Sequence, residues 1–305
     1  MTEFEDLFGA PTKEEDNNVL MIDFSHLAHR TIHAANFKAQ KEFLAPEELF
    51  AFWRHLIITS LFKEISKKSY KKVVIAYDSA PYWRKLLYPE YKGKRKQQRK
   101  ESSLDYGAFM EVLNEFEESF RDCFKNFVHL KHESIEADDI IACLVKELHT
   151  SINITIVTGD GDYKQLLKYP NVTLYDPIKK KEISPLNVEK ELQLKVILGD
   201  TSDNIPAIKP KVGPKTAEKI YNKGIEEYLV EEGRDIRKQY DLNKKLIDFE
   251  MIPKMIYDTI LNAYKNYKTN QYSFDSAIDF CNKYELVACH KKFMNEWSTM
   301  LASIC

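Results

Sequence analysis

Apolar and amphipathic stretches alternate between residues 19 and 185 of the chain. Five short apolar runs predict β-strands at residues 19–23, 73–78, 127–130, 153–158 and 172–176. Longer segments with helical spacing of apolar residues predict helices at 46–68, at about 106–126 and at 135–148. This alternation favours an α/β fold in which helices flank a mostly parallel central sheet.

Two changes in the pattern divide the chain. Residues 1–17 are mainly acidic and polar, which predicts a flexible tail before an α/β domain at 18–185. Within that domain, residues 79–105 form a basic, aromatic-rich connection, and connections of that length are usually functional or disordered. The strand pattern stops after residue 185, so residues 186–305 predict a helical domain.

Acidic residues follow three of the predicted strands where each strand ends. Asp23, Asp78 and Asp160 lie at or just after the ends of apolar runs. Because ligands of open α/β sheets collect at the carboxyl ends of the strands, we expect these side chains to meet in one crevice. Further acids follow in neighbouring clusters, and the full candidate set is Asp23, Asp78, Glu136, Asp138, Asp139, Asp160, Asp162, Asp200 and Asp203.

So many carboxylates in one crevice repel one another and raise each other's pKa values. Divalent cations relieve that repulsion, and Mg²⁺ prefers oxygen ligands. The pattern therefore predicts a catalytic centre in which two cations ~3.5–4 Å apart activate a water and stabilise the leaving oxygen of a phosphodiester. No cluster of cysteine or histidine accompanies the acids, which argues against zinc, and we place His26 and His29 on an ordinary helix face.

The acids divide between two predicted cation positions. The first would take Asp23, Asp78, Glu136, Asp138, Asp139 and Asp160, some of them through water. The second would take Asp160, Asp162, Asp200 and Asp203, the last two sharing a face if residues 188–203 are helical. Simpler roles stay open for single acids. The Glu136 group could complement a positive helix end, and the turn at 159–162 could be an ordinary N-cap.

Basic residues concentrate in residues 84–100, where eight lysine and arginine residues accompany one glutamate, a net charge of +7. Cations track phosphates, and aromatic rings stack on unpaired bases. The candidate nucleic-acid contacts here are Tyr82, Trp83, Tyr88, Tyr91, Lys94 and Lys96. Because the stretch follows Asp78, we expect Lys92 and Arg95 to contact the scissile phosphate, and Arg84 is a further candidate catalytic residue. The alternative is a solvated basic loop.

A second candidate nucleic-acid element follows Asp203. Its glycine and proline residues predict a turn and then a helix that begins near Pro214. The N–H groups at a helix start bind phosphate, a contact that positions a duplex without reading its sequence. The candidate contacts are Lys209, Lys211, Gly213, Lys215 and Thr216. A plain helical hairpin is the alternative.

Composition limits the class of protein. A chain of 305 residues can bury a sizeable core in one large domain or two, and its net charge of −2 hides the segregation of acids from bases. No apolar run reaches the ~18 residues of a membrane span, and the acidic start lacks a secretory signal pattern. Five cysteines without CxxC spacing favour a reduced, cytoplasmic setting.

Four motifs, with Asp23 and the block after Asp78, resemble the flap endonuclease and 5′-nuclease family over about residues 19–225. They are YPEYKGKR at 88–95, EADD at 136–139, TGDGDYKQLL at 158–167 and GDTSDNIP at 199–206. The resemblance implies a PIN-like fold in which residues 79–105 form an arch that admits a single-stranded 5′ end. It also implies a helix–three-turn–helix at 200–220 that grips duplex. Where the family usually has Gly-Ile-Gly, this chain has Lys211-Val212-Gly213, and we expect Lys211 to supply a phosphate contact.

Phage members of the family imply the activity. It is that of a structure-specific 5′→3′ exonuclease and flap endonuclease with ribonuclease H activity on RNA–DNA hybrids. Such an enzyme removes RNA primers and adjacent DNA during lagging-strand replication, in the cytoplasm of the infected bacterial cell. The resemblance implies two Mg²⁺ ions with Mn²⁺ as a substitute, flapped or nicked duplex and RNA–DNA hybrid as substrates, and a monomer.

Two protein partners are also predicted. Phe4, Leu7 and Phe8 in the acidic tail are typical of short peptides that replication proteins insert into a sliding clamp, although isolated apolar residues are common in tails. The resemblance implies that a single-stranded-DNA-binding protein contacts the C-terminal helical region. Residues 230–305 carry no motif of their own. No membrane partner is expected.

Other functions compete with this one. A PIN-like ribonuclease shares an acid-lined α/β sheet and cleaves single-stranded RNA, but the basic stretch and the hairpin argue against it. A flap-binding scaffold with an inactive centre would lack an acid, and none is missing. A DNA-binding regulator is weaker still, because no dimeric recognition helix is evident.

Overall fold

The computed structural model of the protein describes residues 17–185 and 187–304. The predicted clamp peptide with Phe4, Leu7 and Phe8 lies outside the described residues. Along the described part of the chain, no helix is both long and apolar enough to cross a membrane.

A six-stranded sheet lies at the centre of the described chain. Its strands are β1 (Asn18–Asp23), β2 (Lys72–Tyr77), β3 (Val128–Lys131), β4 (Asn153–Val157), β5 (Val172–Asp176) and β6 (Lys181–Glu182). The strand order is β3-β2-β1-β4-β5-β6, with β1 to β5 parallel and β6 antiparallel to β5. The predicted mostly parallel sheet is confirmed, and each of the five predicted strands agrees with its observed bounds to within one residue.

Helices connect the strands and cover both faces of the sheet. In the first part of the chain they are α1 (Phe24–Glu42), α2 (Pro46–Ile65), α3 (Arg84–Leu87), α4 (Arg95–Glu101), α5 (Tyr106–Cys123) and α6 (Ala137–Leu148). A 3₁₀-helix spans Gly161–Lys168. The later helices are α7 (Val188–Leu198), α8 (Pro214–Lys223), α9 (Ile225–Glu232), α10 (Arg234–Ile247), α11 (Lys254–Asn266), α12 (Phe274–Lys283), α13 (Val287–Lys292) and α14 (Ser298–Ala302).

Local sequence explains where the helices near the sheet begin and end. Asp23 caps α1 by accepting a hydrogen bond from the His26 N–H at 2.8 Å, and Asp105 caps α5 by accepting from the Ala108 N–H at 3.0 Å. Pro46 opens α2 at a position where its missing N–H costs no hydrogen bond. The chain leaves α1 at Phe43, whose φ of 55° lies in the left-handed region.

Three hydrophobic clusters hold these elements together. The first joins one face of the sheet to α1, α2, α5 and the last three helices. The second joins the other face to α6, the 3₁₀-helix at Gly161–Lys168 and α11. The third is built from α7 to α10 and includes Tyr91 from the long connection.

The helices after residue 186 divide among these three clusters. Helices α7 to α10 pack together with Tyr91 in the third cluster, whereas α11 packs on α6 and the last three helices pack beside α1 and α2. Phe280, Phe293 and Trp297 illustrate this packing, because they belong to the same cluster as Trp53 and Phe62 of α2. These aromatic side chains bury their area against a sheet domain distant in sequence.

The predicted helix at 188–203 is also shorter than expected. It ends at Leu198 because Gly199 takes φ of 70°, and Asp200 then pairs with Ile205 through backbone hydrogen bonds of 2.9 and 2.7 Å. A Cβ at Gly199 would come within 2.4 Å of the Ile205 and Pro206 carbonyl oxygens, so the turn requires glycine there. Asp200 and Asp203 thus come together through a tight turn and not through a helix face.

Candidate active site

The acidic residues at the strand ends meet at the carboxyl ends of the parallel strands. They surround the ends of β1 and β4, two neighbouring central strands whose connections run to opposite sides of the sheet, which is where α/β sheets leave a crevice. A cavity of about 390 Å³ opens there. Its acidic lining residues are Asp23, Asp78, Glu136, Asp138 and Asp160. The structure thereby brings together five of the nine predicted acids around one space.

Neighbouring backbone and hydroxyl groups orient these carboxylates. The Tyr163 hydroxyl donates to Asp23 at 2.9 Å, and the Ala137 N–H at the start of α6 donates to Asp78 at 2.8 Å. Asp160 accepts from the Asp162 N–H at 2.9 Å as the N-cap of the 3₁₀-helix. Each contact leaves other carboxylate lone pairs free, because an ionised carboxylate has about four acceptor sites.

Burial and mutual repulsion raise the pKa of several of these acids. Burial, and then the charge of Asp78, raises the pKa of Asp23 to about 7. Burial raises the pKa of Asp78, and burial with the charges of Glu136 and Asp139 holds the pKa of Asp138 well above its usual value. Too little positive charge lies near these carboxylates to keep them ionised, and a bound divalent cation would supply it.

Two groups of three acids have oxygen atoms close enough to share a cation. Glu136, Asp138 and Asp139 form one group, with one oxygen from each within 4.8 Å of the others. Asp162, Asp200 and Asp203 form the second group by the same measure. The donors in these two groups are all carboxylate oxygens, which fit a hard divalent cation such as Mg²⁺. His26, His29 and His33 also line the crevice but belong to neither group.

Lysine side chains already contact both groups. The Lys92 ammonium lies against Glu136, and although burial opposes ionisation, Lys92 and Arg84 hold the pKa of Glu136 below its usual value. Lys195 on α7 bridges Asp162 and Asp200, at 2.8 Å from the latter. Burial favours a higher pKa for Asp200, but the charge and hydrogen bond of Lys195 outweigh it and lower the pKa of Asp200 to about 2.

Three side chains of the long connection, those of Trp83, Arg84 and Tyr91, are buried, and their burial changes the roles predicted for them. Arg84 is 2% exposed and donates to Glu136 at 2.7 Å, to both Asp139 oxygens at 2.8 and 3.0 Å, and to the Leu246 carbonyl at 2.9 Å. This burial disagrees with the prediction that Arg84 is a catalytic residue, because a catalytic side chain must reach the substrate. Asp139 is fully buried and holds Arg84, so binding a metal would require Asp139 to give up one of these hydrogen bonds.

Two aromatic residues predicted to stack on bases are buried as well. The Trp83 indole N–H donates to Asp139 at 2.8 Å, and the Tyr91 hydroxyl donates to Asp203 at 3.0 Å. Neither ring is available to a base, so both predictions are corrected to positioning roles. Tyr82 and Tyr88 both pack partly buried against the third cluster, and Tyr82 also lines an open cavity.

That cavity forms a basic passage next to the acidic crevice. It has a volume of about 1030 Å³ and lies between the start of the connection and α4. Its cationic lining residues are Lys85, Lys92, Arg95, Lys96, Arg99 and Lys100, against one acid, Asp105. Lys92 and Arg95 sit where the two cavities meet, since both residues line each of them. Lys94 is exposed on the outer surface and does not line the passage.

Lys92 and Arg95 also contact the second acidic group. The Arg95 guanidinium donates to Asp203 at 2.8 Å, and the Lys92 ammonium lies 3.9 Å from the same carboxylate. The Lys92 backbone has φ of 55° and its N–H donates to the Asp203 carbonyl at 2.8 Å. Lys92 and Arg95 therefore link the two acidic groups into one connected network.

The comparisons with known proteins agree with this geometry. Residues 18–193 match the family model described as 5′-3′ exonuclease, N-terminal resolvase-like domain. The chain is 30% identical to the protein named Ribonuclease H of Enterobacteria phage T4 over 274 residues, 82% of this chain and 87% of that protein. This chain belongs to the 5′-3′ exonuclease family. It is therefore a nuclease, a hydrolase of phosphodiester bonds.

Relatives of this exonuclease-family protein include larger enzymes. DNA polymerase I of Rhizobium leguminosarum is 36% identical over 159 residues, which cover 49% of this chain and only 14% of the polymerase. Among solved structures, the bacteriophage T5 5′-exonuclease with bound zinc superposes with a TM-score of 0.62 at 21% identity, covering 82% of this chain and all of that one. The T5 D15 flap endonuclease in a complex with DNA and metal ions gives 0.62 at 23% identity, with 82% and 100% coverage. These structures show the same fold.

The residues predicted to contact duplex lie in the turn after Asp203 and in the first turn of α8. Lys211, Lys215 and Thr216 are exposed around the start of α8, while Lys209 pairs with Glu232 at 2.6 Å. Lys211 takes φ of 64°, the left-handed conformation that glycine adopts readily. The turn therefore keeps a glycine-like backbone although its first residue is lysine. Gly213 precedes Pro214, the first residue of α8 as predicted.

Three residues that contact the acids of this nuclease's site were not predicted from the sequence. Tyr163 holds Asp23, and the Ser25 hydroxyl accepts a hydrogen bond from the Asp78 N–H at 2.8 Å. Lys195 bridges the second acidic group. Tyr163 directly follows Asp162, and Lys195 lies five residues before Asp200, so both could have been noticed as groups near the acids. Nothing local shows which way their side chains point.

Proposed function

We propose that this nuclease is a Mg²⁺-dependent, structure-specific 5′→3′ exonuclease and flap endonuclease that removes RNA primers and adjacent DNA during lagging-strand replication of a phage. One observation carries the proposal. The acidic crevice opens beside the basic passage, and Lys92 and Arg95 line both. A single strand in the passage would thus bring its phosphates to the carboxylates, with cations to hold them.

The acids divide between two ions much as their order in the chain suggests. Asp23, Asp78, Glu136, Asp138 and Asp160 would hold the first, and Asp160, Asp162, Asp200 and Asp203 the second. When bound, Mg²⁺ supplies an activated water and stabilises negative charge on the phosphodiester oxygens. Mn²⁺ accepts the same oxygen ligands and would substitute for it.

The protein's own residues then position the substrate. Lys92 and Arg95 would exchange their carboxylate contacts for phosphate oxygens, where a fixed cation stabilises developing charge. Tyr163 and the Ala137 N–H keep Asp23 and Asp78 aimed at the crevice. Arg84 would not touch the substrate but would position Glu136 and Asp139 through its ion pairs with them.

The substrates follow from the two basic surfaces. We propose that the passage admits an unpaired 5′ strand and that the turn before α8 holds flapped or nicked duplex or RNA–DNA hybrid through Lys211, Lys215 and Thr216. The names of the T4 relative, a ribonuclease H, and of the T5 structure, a flap endonuclease, support this choice. Phosphate contacts of this kind position a duplex without reading its sequence.

The proposal includes two protein partners. Residues 2–9, with Phe4, Leu7 and Phe8, would bind a sliding clamp, and the C-terminal helices would contact a single-stranded-DNA-binding protein. Deleting residues 2–9 should abolish stimulation of cleavage by the cognate clamp without changing cleavage in its absence. Unchanged stimulation would remove the clamp from the proposal.

The central test compares substrates with and without Mg²⁺. A 5′-labelled DNA flap and a 5′-labelled RNA–DNA hybrid are digested in parallel, and products are analysed by length. We expect cleavage of both only with Mg²⁺ or Mn²⁺. Asp160→Asn should bind the flap in a gel-shift assay but fail to cleave it. Full cleavage by Asp160→Asn, or cleavage of linear single-stranded RNA in preference to both substrates, would contradict the proposal.

A further inference from the structure

Lys195 lies on α7 and reaches acids from two other segments of the chain. Its ammonium contacts Asp162 of the 3₁₀-helix and, at 2.8 Å, Asp200 of the turn after α7. These are two of the three acids in the second group, whose oxygens all lie within 4.8 Å of one another. The Lys195 ammonium therefore lies between two of the three acids that a shared cation would need.

The physical reason for a lysine at this point is the crowding of negative charge. Three carboxylates this close repel one another, and without a metal ion Arg95 neutralises Asp203 while Lys195 neutralises Asp162 and Asp200. Lys195 is suited to the task, because an ammonium is a compact point charge on a flexible stem. Its side chain is 27% exposed, so solvent lies within reach of the ammonium when it moves away.

A second ion pair joins the same two elements with the charges reversed. Lys164 on the 3₁₀-helix pairs with Glu191 on α7 at 2.9 Å, with both side chains 39% exposed. Neither residue of this second pair belongs to the three acids of the second group. The pair is a matched control, because it ties the 3₁₀-helix to α7 as Lys195 does but touches no candidate metal ligand.

We propose that Lys195 is the resident counter-ion of the second cation position, and that a divalent cation binds there only after the ammonium has left Asp162 and Asp200. The inference rests on the proposed function, since it concerns the same centre. A cation and an ammonium a few ångströms apart repel strongly in a partly buried site, so the two exclude each other. Lys195 consequently weakens binding of the second ion and leaves the first ion unaffected.

The experiment is a titration of the metal-stripped full chain with Mn²⁺, followed by isothermal titration calorimetry. It compares the wild type with Lys195→Met and Lys164→Met. For Lys195→Met we expect the second ion to bind at least about tenfold more tightly, with the first unchanged. Lys164→Met should match the wild type. If the wild type shows only one binding event, the appearance of a second event in Lys195→Met supports the proposal equally.

The proposal is overturned if Lys195→Met binds the second ion no more tightly than the wild type, because the lysine would then not compete with it. Lys195→Gln is measured in parallel, since it removes the charge but keeps a hydrogen-bond donor for the carboxylates. Circular dichroism of the metal-free proteins checks that each variant is folded. Should Lys195→Met be unfolded without metal, the Lys195→Gln titration decides.

Cleavage of the flap by the same wild-type preparation separates this inference from the proposed function. Tighter second-ion binding in the variants together with no flap cleavage by the wild type would contradict the proposed function and leave the role of Lys195 standing. Flap cleavage by the wild type without any gain in the variants would overturn the role of Lys195 alone.

Discussion

Arg84 offers a sharp test of how the site is built. Its guanidinium is 2% exposed and lies between two acids. Glu136 is 1% exposed, and Asp139 is fully buried. Replacing it with methionine keeps most of the buried volume but leaves two carboxylates without their shared cation. Removing one partner of a buried ion pair costs about 3–5 kcal/mol, because the remaining charge is uncompensated.

The surroundings suggest the middle of that range for Arg84→Met. Glu136 keeps Lys92 and Asp139 keeps the Trp83 indole, which offsets part of the loss, whereas the Leu246 carbonyl loses the Arg84 donor. We expect the free energy of unfolding at pH 7 to fall by about 4 kcal/mol. The deficit should shrink toward about pH 5, because Glu136 loses one of the cations that lower its pKa and can then take up a proton more readily.

The assay is urea denaturation in EDTA, with the midpoint converted through the slope of each curve. Arg237→Met is the matched control, because Arg237 pairs with Glu226 at 2.6 Å on the exposed surface of α10. Its midpoint should equal that of the wild type. If Arg84→Met were as stable as the wild type yet inactive, Arg84 would contact substrate as first predicted, and the argument from burial would be refuted.

Three further predictions follow from the same site. Lys92→Ala should lower the single-turnover cleavage rate about 10²-fold and change flap affinity far less. The control is Lys94→Ala, which lies outside the passage and should leave the rate unchanged. Equal losses in rate and affinity for Lys92→Ala would make Lys92 a phosphate tether. Because burial and Asp78 raise the pKa of Asp23 to about 7, the folded metal-free protein holds a proton that the unfolded chain has lost. Its stability should therefore fall as pH rises from about 4 to about 7. Asp23→Asn should flatten that fall in urea denaturation, and a slope equal to that of the wild type would contradict the assignment. Lys211→Gly should keep or raise the melting temperature, since φ of 64° suits glycine, and should lower the salt dependence of duplex binding by about one ion in a fluorescence titration. An unchanged salt dependence would exclude a phosphate contact by Lys211.

The strands and the acids at their ends were predictable for a common reason. A parallel strand buried on both faces is a continuous apolar run, and the residue that ends the run lies at the carboxyl edge of the sheet. Asp23 at the end of β1 and Asp78 just after β2 therefore reach one crevice, whatever the rest of the chain does. Asp200 and Asp203 came together for a different reason than expected, the turn at Gly199.

The cationic residues were harder to place, because their roles depend on contacts between distant segments. Arg84 and Lys92 lie in the same basic run, and the pattern predicted both as catalytic residues. The structure separates them, since α10 and α6 enclose Arg84 while Lys92 reaches the cavity. Trp83 and Tyr91 likewise proved to be donors to buried acids and not exposed rings.

By itself the sequence determined the order of strands and helices, the set of acids and the family, because each of these is carried by local periodicity or by short motifs. Tertiary structure alone decided which cations neutralise the acids and which remain for a phosphate, and that the last three helices pack beside α1 and α2. Those outcomes depend on burial and charge pairing between segments that are far apart in the chain, and no local pattern records which segments will meet.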